Sequence, residues 1–405
     1  MASRPTSPMI NGPGKRACES WIESFVEHTE NLESAPIFRR WSAITMIAAT
    51  LEQKVWVNLS TPLYPNLYTF LIGQPGIGKS RAIMAASGIA REALPEMFFG
   101  STSMTRASLS DHMNEAKRFI ANIPFAPIEY HSLVIVADEF SVLMDQYDTA
   151  LTAAFVEFYD CNPYSEGRRV ANIRIKVQKP QLTMLCGSTP SNLLHTLKDY
   201  VWDQGLMSRV IMVYSEDHPI IDVFDNPPVD KPKHLIHDLK LINTIMGEFT
   251  HTDAFRAVTS KWRLAGQIPV PEHPKLRHYS TRRWAHLLKL CMVSNVDRDG
   301  RLKLDVIDFN RAMNWLVEAE LSMPMIFQVG TVSPDSRVMD EIAYFVKQHP
   351  NGIGEHQVIN FARTKVQAHA IRPMIEAMQQ SRQIVCKAVD KQGLRIFITP
   401  QVQDK

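Results

Sequence analysis

An eight-residue run that begins at Gly73 has the composition of a loop that surrounds phosphate groups. Its residues are Gly73, Gln74, Pro75, Gly76, Ile77, Gly78, Lys79 and Ser80, and Arg81 follows them. The glycines let backbone N–H groups turn inward around phosphate oxygens, and the next helix adds the partial positive charge of its N-terminus. Lys79 would contact the β- and γ-phosphates, and the Ser80 hydroxyl would bind Mg²⁺. The run, with Arg81, therefore predicts a site for ATP and Mg²⁺; a glycine turn that only starts a helix is the alternative.

Two adjacent carboxylates, Asp138 and Glu139, follow the apolar run Leu133–Ala137. In parallel sheets, ligands bind at the carboxyl ends of the strands. We expect Asp138 to hold Mg²⁺ through its water shell and Glu139 to orient the water that attacks the γ-phosphate. Two acids that cap the next helix are the alternative. The glycine run upstream favours the catalytic interpretation, because the two motifs need each other.

Two further side chains are candidates for contact with the terminal phosphate. Thr189 follows the apolar run Leu182–Cys186, and its hydroxyl would lie near the γ-phosphate; a turn residue before Pro190 is the alternative. Arg209 precedes the run Val210–Tyr214. An arginine at this position resembles the finger that AAA+ proteins insert into a neighbouring subunit's site, where its planar charge stabilises the transition state. A surface salt bridge is the alternative.

A basic segment lies between the acidic pair and Thr189. Its apolar residues Ile173, Ile175 and Val177 alternate with Arg174, Lys176 and Gln178. A strand with this alternation buries one face and exposes a basic one, which suits contacts with DNA phosphates without reading of the sequence. The predicted DNA contacts are Arg168, Arg169, Arg174 and Lys176. A solvated edge strand protected by its basic residues is the alternative.

The elements around these residues predict an α/β fold with a parallel sheet. Short apolar runs such as Leu67–Ile72, directly before the glycines, suit strands that helices cover on both faces. Three helix-sized segments, at about 336–348, 355–363 and 366–380, are followed by two strands, 384–389 and 394–399, with a hairpin turn at 390–393. This order is typical of a winged helix. The predicted divisions are a disordered lead-in (1–18), N-terminal helices (19–60), a nucleotide-binding core (61–218), a helical lid (219–330) and a winged-helix-like domain (331–405).

Other basic residues have two open interpretations. Arg282 and Arg283 begin a lid helix and are either a second phosphate sensor or part of a solvated face. The C-terminal domain carries Arg363, Lys365, Arg372, Arg382 and Lys387. These residues would contact a DNA backbone, or the domain would bind another protein.

Composition restricts the classes of protein to consider. The chain has 405 residues and a formal net charge of +2, so any nucleic-acid contact should be local. Its five cysteines are scattered and never at Cys-x-x-Cys spacing, which argues against a disulfide framework or a zinc ribbon. No apolar run approaches the roughly 20 residues that cross a bilayer. We therefore expect a cytoplasmic protein without membrane contact, in the bacterial host if a phage encodes it.

Several blocks in order resemble a phage and mobile-element family of P-loop ATPases labelled phage DNA helicase or primase-helicase. They are Tyr64–Tyr68, the glycine run, Asp138-Glu139, Gly187–Pro190, Gln204–Arg209 and His286–Met292. The similarity covers residues 20–325, although Thr189 stands where many members have glutamine. It implies an AAA+-like, superfamily-three-like core, a ring that is expected to be a hexamer, and a basic hairpin in the channel that grips DNA. Priming would come from a separate primase or other replication proteins.

The sequence thus predicts an ATPase of phage replication type that forms a ring and moves along DNA, with single-stranded DNA expected in its central channel. Two alternatives remain open. The ATPase would load a helicase or act as a DNA-bound assembly switch without unwinding. It would otherwise be a regulatory module in which the winged helix finds the target and ATP controls oligomerisation.

Overall fold

The glycine run at residues 73–80 joins the strand Tyr68–Ile72 to the helix Lys79–Ala93 in the computed structural model of the chain. The structure describes residues 15–122, 125–144, 148–168, 173–197, 202, 205–222, 232–330, 334–350, 352–388 and 395–398. The chain divides into two units, residues 1–330 and 331–405.

The described strands of the first unit are short except for one. They are β1 (Val55–Asn58), β2 (Pro62–Leu63), β3 (Tyr68–Ile72), β4 (Lys117–Asn122), β5 (Phe125–Ala137), β6 (Tyr164–Arg168), β7 (Ile173–Val177), β8 (Pro180–Ser188), β9 (Val210–Tyr214), β10 (Gly247–His251) and β11 (Lys303–Leu304).

The described α-helices of the first unit surround these strands. They are α1 (Trp21–His28), α2 (Pro36–Leu51), α3 (Lys79–Ala93), α4 (Arg106–Glu115), α5 (Phe140–Leu143), α6 (Thr149–Tyr159), α7 (Pro190–Thr196), α8 (Lys233–Asn243), α9 (Asp253–Leu264), α10 (Arg277–Arg298) and α11 (Val306–Gly330).

A five-stranded sheet with the order β4-β5-β8-β3-β9 forms the centre of the first unit. Its strands are parallel except β4, which pairs antiparallel with β5. All residues of β3, β8 and β9 are buried. Continuous apolar strands of this kind are stable only when both faces of the sheet are covered, which the surrounding helices provide. The fold is therefore mixed α/β with a parallel sheet.

Helix α2 packs into the same core as the sheet. Pro36 occupies its first turn, where proline costs no hydrogen bond, and its residues from Trp41 to Leu51 are all buried. The hydroxyl of Thr45 donates to the hydroxyl of Thr69 in β3 at 2.7 Å. One hydrophobic cluster runs from Trp21 to Phe327. This one cluster crosses the predicted domain boundaries between residues 60 and 61 and between residues 218 and 219. Those boundaries stay predictions.

Two smaller sheets accompany the central one. The order β11-β10-β1-β2 joins short strands that are far apart in the chain, and two of them lie in the segment predicted to be helical. Strands β6 and β7 form an antiparallel hairpin that belongs to neither larger sheet. Strands β5 and β8 are longer than the apolar runs that predicted them, because polar residues continue the pairing at their ends.

The second unit has its own hydrophobic cluster. Its elements are α12 (Pro334–Lys347), β12 (Ile353–Gly354), α13 (Glu355–Arg363), α14 (Ala368–Gln380), β13 (Val385–Ala388) and β14 (Arg395–Ile398). The sheet has the order β12-β14-β13, and Ile342, Val358, Ile371 and Phe397 are buried in the cluster. The predicted sequence of three helices and two strands is present, and β12 was not predicted. The predicted turn at 390–393 lies outside the described residues.

Among the helices that the structure describes, none is both long enough and apolar enough to span a bilayer.

Candidate active site

The carboxyl ends of the parallel strands bring the glycine run and the acidic pair to one edge of the sheet. Ile72, the last residue of β3, lies opposite Ser188 of β8 and Tyr214 of β9. Ala137, the last residue of β5, lies opposite Cys186 of β8. Strand β8 thus separates the strand before the glycine run from the strand before Asp138, and its own end lies between the two motifs.

Gly78 is the glycine of the run whose added Cβ would meet the closest atom. Its φ of 82° is in the left-handed region, where a side chain is strained, and it directly precedes α3. A Cβ atom at Gly78 would lie 1.8 Å from the carbonyl oxygen of Glu33. The turn between α1 and α2 therefore packs against the glycine run. Glu33 also forms an ion pair with Arg81 in the first turn of α3.

Lys79 is buried, and its side chain folds over the run. The Lys79 Nζ donates to the carbonyl oxygens of Gly73 at 2.7 Å and Gln74 at 2.8 Å. Burial lowers the pKa of Lys79, and the negative charge of Glu139 opposes that shift. Lys79 and Glu139 therefore lie within electrostatic reach of each other, although they are 60 residues apart in the sequence (139 − 79).

The other predicted residues of the run differ in exposure. Ile77 and Gly73 are buried, whereas Ser80 is half-buried at the start of α3. The remaining members are exposed and accessible to a ligand: Gln74, Pro75, Gly76 and Arg81.

Glu139 is fixed by a hydroxyl that the sequence did not predict. The Ser188 Oγ donates to the Glu139 Oε1 at 2.8 Å. Glu139 occupies the N-cap position of α5, but its side chain makes no capping hydrogen bond. The Glu139 side chain therefore does not cap α5, contrary to what the alternative interpretation predicted. The predicted strand ended at Cys186, and extending it to Ser188 would have identified this hydroxyl as a neighbour of the site.

The Thr189 hydroxyl caps a helix in the structure. Its Oγ1 accepts a hydrogen bond from the Asn192 N–H at 3.2 Å and so caps α7. The hydroxyl that contacts Glu139 is that of Ser188, one residue earlier. The predicted place of the Thr189 hydroxyl near the γ-phosphate stays a prediction.

Asp138 and Ser80 provide donors that suit a hard cation. Asp138 is exposed directly after β5, and the half-buried Ser80 hydroxyl lies at the same edge of the sheet. Mg²⁺ prefers oxygen donors, and it usually takes one or two of them from protein and the others from phosphate and water. Within the described residues, no group of three or more His, Cys, Asp or Glu side chains could hold a metal alone. The donor set therefore fits Mg²⁺ that arrives with a nucleotide.

Arg209 lies at the opposite edge of the sheet from the glycine run. It directly precedes β9, whose first residue, Val210, is opposite Tyr68 at the start of β3. Its guanidinium is buried, pairs with Asp160 and donates to the Gly205 carbonyl oxygen at 2.7 Å. Arg209 thus forms an ion pair within its own chain, in which the arginine is buried and the aspartate is partly exposed. It cannot reach the glycine run of the same chain.

The two lid arginines are not alike. Arg283 is fully buried and forms a two-bond ion pair with Glu320 at 2.6 and 2.7 Å, so the solvated-face interpretation is wrong for it. Arg282 is partly exposed and donates to the Asp160 Oδ1 at 3.0 Å. Burial would raise the pKa of Asp160, but the hydrogen bond and charge of Arg209 and the charge of Arg282 hold that pKa below its ordinary value.

The β6–β7 hairpin has the predicted alternation. Ile175 and Val177 are buried, whereas Arg174 and Lys176 are exposed. Arg174 lies opposite Gly167 and Lys176 opposite Ser165, so small residues flank both cations on the exposed face. Arg168 ends β6, but its side chain, like the whole of Arg169, lies outside the described part of the chain.

Comparison of the chain with protein-family models and with curated proteins finds no match. The residues and their geometry are therefore the basis for a functional proposal.

Proposed function

We propose that this chain is a P-loop ATPase with an AAA+-like core that binds Mg-ATP at residues 73–81 and hydrolyses it. The observation that carries the proposal is the meeting of Lys79, Glu139 and Ser188 at the carboxyl edge of a parallel sheet, beside a glycine run that opens a helix. That edge is where open α/β sheets bind ligands, and a helix N-terminus after a glycine turn favours anions.

Each residue has a distinct task in this reaction. The backbone N–H groups of the run and the N-terminus of α3 bind the phosphates. The Lys79 Nζ exchanges the Gly73 and Gln74 carbonyls for β- and γ-phosphate oxygens. Glu139, held by Ser188, orients and polarises the attacking water. When bound through Ser80 and Asp138, Mg²⁺ neutralises charge on the phosphates.

We further propose that hydrolysis drives movement along DNA in a ring of identical subunits, expected to be a hexamer. The exposed cations Arg174 and Lys176 on the β6–β7 hairpin support a sequence-independent phosphate contact. The order of three helices and a hairpin in the second unit supports its assignment as a winged helix. The family resemblance to phage helicases, action in the cytoplasm and a separate primase partner belong to the same proposal.

A helicase loader or DNA-bound assembly switch is the second candidate. The same nucleotide site serves it equally well, because the site residues do not specify what the released energy does. Strand displacement separates the two functions. A helicase displaces strands from tailed duplexes when ATP is present, whereas a loader hydrolyses ATP with DNA and displaces none.

Two variants test the ATPase. Lys79→Ala should weaken ATP binding, because the ammonium that contacts the phosphates is lost. Glu139→Gln should keep ATP affinity within about twofold and lower kcat by about 10²–10⁴-fold, the usual contribution of a general base. Calorimetric titration and phosphate release measure the two effects. Full hydrolysis by Glu139→Gln, or unchanged affinity of Lys79→Ala, would reject this site.

A further inference from the structure

A short loop at the end of α9 exposes aliphatic side chains to solvent. Leu264 is 87% exposed, Ile268 69% and Val270 36%. Pro269, between the last two, is exposed as well. Single exposed apolar side chains are normal on a protein surface, whereas a group of neighbouring ones marks contact with another molecule. Residues 264–270 are called the apolar loop below.

Hydrogen bonds to buried side chains fix the backbone of the apolar loop. The Trp262 Nε1 donates to the Ile268 carbonyl oxygen at 3.0 Å, and the Trp262 ring is buried. The buried Arg283 donates through its Nη1 to the Gln267 carbonyl oxygen. The Gln267 N–H donates in turn to the Trp262 carbonyl oxygen at 3.0 Å. The loop therefore holds its aliphatic side chains in a fixed arrangement, which lowers the entropic cost of binding a partner.

Cations border the apolar loop on both sides in the sequence. Lys261 and Arg263 precede it in α9, and Arg277 follows it at the start of α10. All three are exposed. From residue 254 to residue 296, Glu272 is the only acidic residue. The charge around the apolar loop therefore favours an anionic partner.

Helix geometry places these cations beside the apolar loop. Lys261 and Leu264 are three residues apart in α9 and so share one face of that helix. Arg263 directly precedes Leu264. Arg277 lies six residues (283 − 277), or about 9 Å along α10, before the Arg283 that anchors the loop. An anion that meets the loop is therefore close to all three positive charges.

The chemistry of this surface fits an anionic bilayer better than a nucleic acid or an apolar groove in a protein. Nucleic-acid bases stack on aromatic rings, and the exposed side chains of the loop are aliphatic. Aliphatic side chains do enter the boundary between lipid headgroups and acyl chains. Lysine and arginine next to them are attracted to the anionic lipids of the cytoplasmic leaflet. An apolar protein groove would make no use of the cations.

We propose that the apolar loop docks this chain on a membrane that contains anionic phospholipid. The three aliphatic side chains enter the headgroup boundary, and the three cations contact lipid phosphates. Such a contact needs no spanning helix. The expectation of no membrane contact rested on the lack of runs long enough to cross a bilayer, and a loop at the bilayer surface is a different kind of contact. The proposal goes beyond the ATPase proposed above and does not depend on the nucleotide site.

Flotation of the full chain with lipid vesicles tests the proposal. The probes are vesicles of phosphatidylcholine alone and vesicles with about 30% phosphatidylglycerol, which is anionic. The wild type should bind the anionic vesicles more tightly, and salt should weaken that binding. Leu264→Ser with Ile268→Ser should lower binding about 100-fold, because two aliphatic side chains no longer leave water. Lys261→Ala with Arg277→Ala should lower it about 25-fold and reduce its salt dependence.

Ile307→Ser with Leu321→Ser is the matched control, because both residues are exposed aliphatic side chains on α11, at 51% and 77%. This control should bind anionic vesicles like the wild type. Circular dichroism verifies that each variant folds, and every variant should hydrolyse ATP in solution at the wild-type rate. A chain that binds vesicles without hydrolysing ATP rejects the ATPase and supports the docking loop.

Three results would overturn the docking proposal while the nucleotide site stands. The first is a wild type that does not bind anionic vesicles. The second is an equal loss of binding in the apolar loop variant and in its control, or no loss in either. The third is a loss of affinity for single-stranded DNA but not for vesicles in Lys261→Ala with Arg277→Ala, which would make this surface a nucleic-acid contact.

Discussion

In the proposed reaction, the Ser188 hydroxyl that contacts Glu139 holds this carboxylate in place to orient the attacking water. Ser188→Ala removes a hydrogen bond to a charged group, worth about 1.5–3 kcal/mol, so we expect kcat to fall roughly ten- to hundredfold with ATP affinity retained. Thr189→Ala removes the α7 cap and should lower the free energy of unfolding by about 1 kcal/mol, with kcat unchanged. Phosphate release and urea unfolding measure the two effects. The reverse pattern would restore the sensor role predicted for Thr189.

Lys289 is a buried lysine to which no carboxylate of the described residues is directly bonded. Its Nζ donates to the carbonyl and side-chain oxygens of Asn66, both at 2.8 Å, and lies 3.9 Å from the centre of the Tyr159 ring. Burial lowers the pKa of Lys289 to about 7.

Between this pKa and the ordinary value near 10.5, the unfolded chain binds more protons at Lys289 than the folded chain does. This lysine's contribution to the free energy of unfolding should therefore rise with pH from about 7 to 10.5. The slope should reach about 1.4 kcal/mol per pH unit. Below pH 7 the destabilising contribution is complete. Urea unfolding at pH 7.5 and 9.5 should show a larger rise for the wild type than for Lys289→Met, and equal rises would contradict the lowered pKa.

Residues close together in the sequence were predictable, and their distant partners were not. The glycine run and the Asp138–Glu139 pair are local patterns whose residue types follow from the chemistry. Glu139 and Ser188 are 49 residues apart, and so are Arg209 and Asp160. Their contacts depend on strand order and on where each strand ends, which a single sequence does not specify.

At the level of elements, the turn between α1 and α2 supports the start of α3. Gly78→Ala places a Cβ against the Glu33 carbonyl and forces a left-handed backbone on alanine. We expect a loss of about 1–3 kcal/mol from backbone strain alone, together with weaker ATP binding. Gly88→Ala is the matched control in the same helix, where a Cβ meets nothing within 4 Å. It should gain up to about 1 kcal/mol. Thermal unfolding with and without ATP compares them.

The β6–β7 hairpin carries the predicted DNA contact. Arg174→Ala with Lys176→Ala should weaken binding of single-stranded DNA and flatten the dependence of affinity on salt by about 0.7 per lost contact. ATP affinity should not change. Lys240→Ala with Arg256→Ala removes the same charge from exposed positions elsewhere and is the control. Fluorescence anisotropy from 50 to 200 mM salt makes the measurement. If both double variants lose the same DNA affinity, the net charge of the protein determines binding and the hairpin is not the DNA contact.

Element prediction succeeded for the buried strands and failed for two strands of the four-stranded sheet. β3 and β9 are uninterrupted apolar runs, which mark a covered parallel strand. β10 and β11 lie among helices, have only 5 and 2 residues, and pair with partners far along the chain. β10 pairs with β1, and β11 pairs with β10. Local composition does not reveal this tertiary pairing.

For the whole molecule, the two units have separate hydrophobic clusters and should respond differently to nucleotide. ATP stabilises the folded unit that binds it. The stabilisation increases with the ratio of the ATP concentration to Kd. We expect a non-hydrolysable ATP analogue to slow amide hydrogen exchange in β3, α3 and β8 and to leave α12–α14 unchanged. Exchange measured by mass spectrometry on the intact chain checks this. Equal protection of both units would contradict independent cores.

The place of β3 in the sheet has a consequence for synthesis of the protein. Its two neighbours, β8 and β9, are encoded more than 100 residues after it. A nascent chain that has emerged only through α3 already contains every residue of the glycine run, yet the strand before that run has no partner on either side. The ribosome must therefore release Tyr214 before the run is held in shape, so competence to bind nucleotide should arise late in translation.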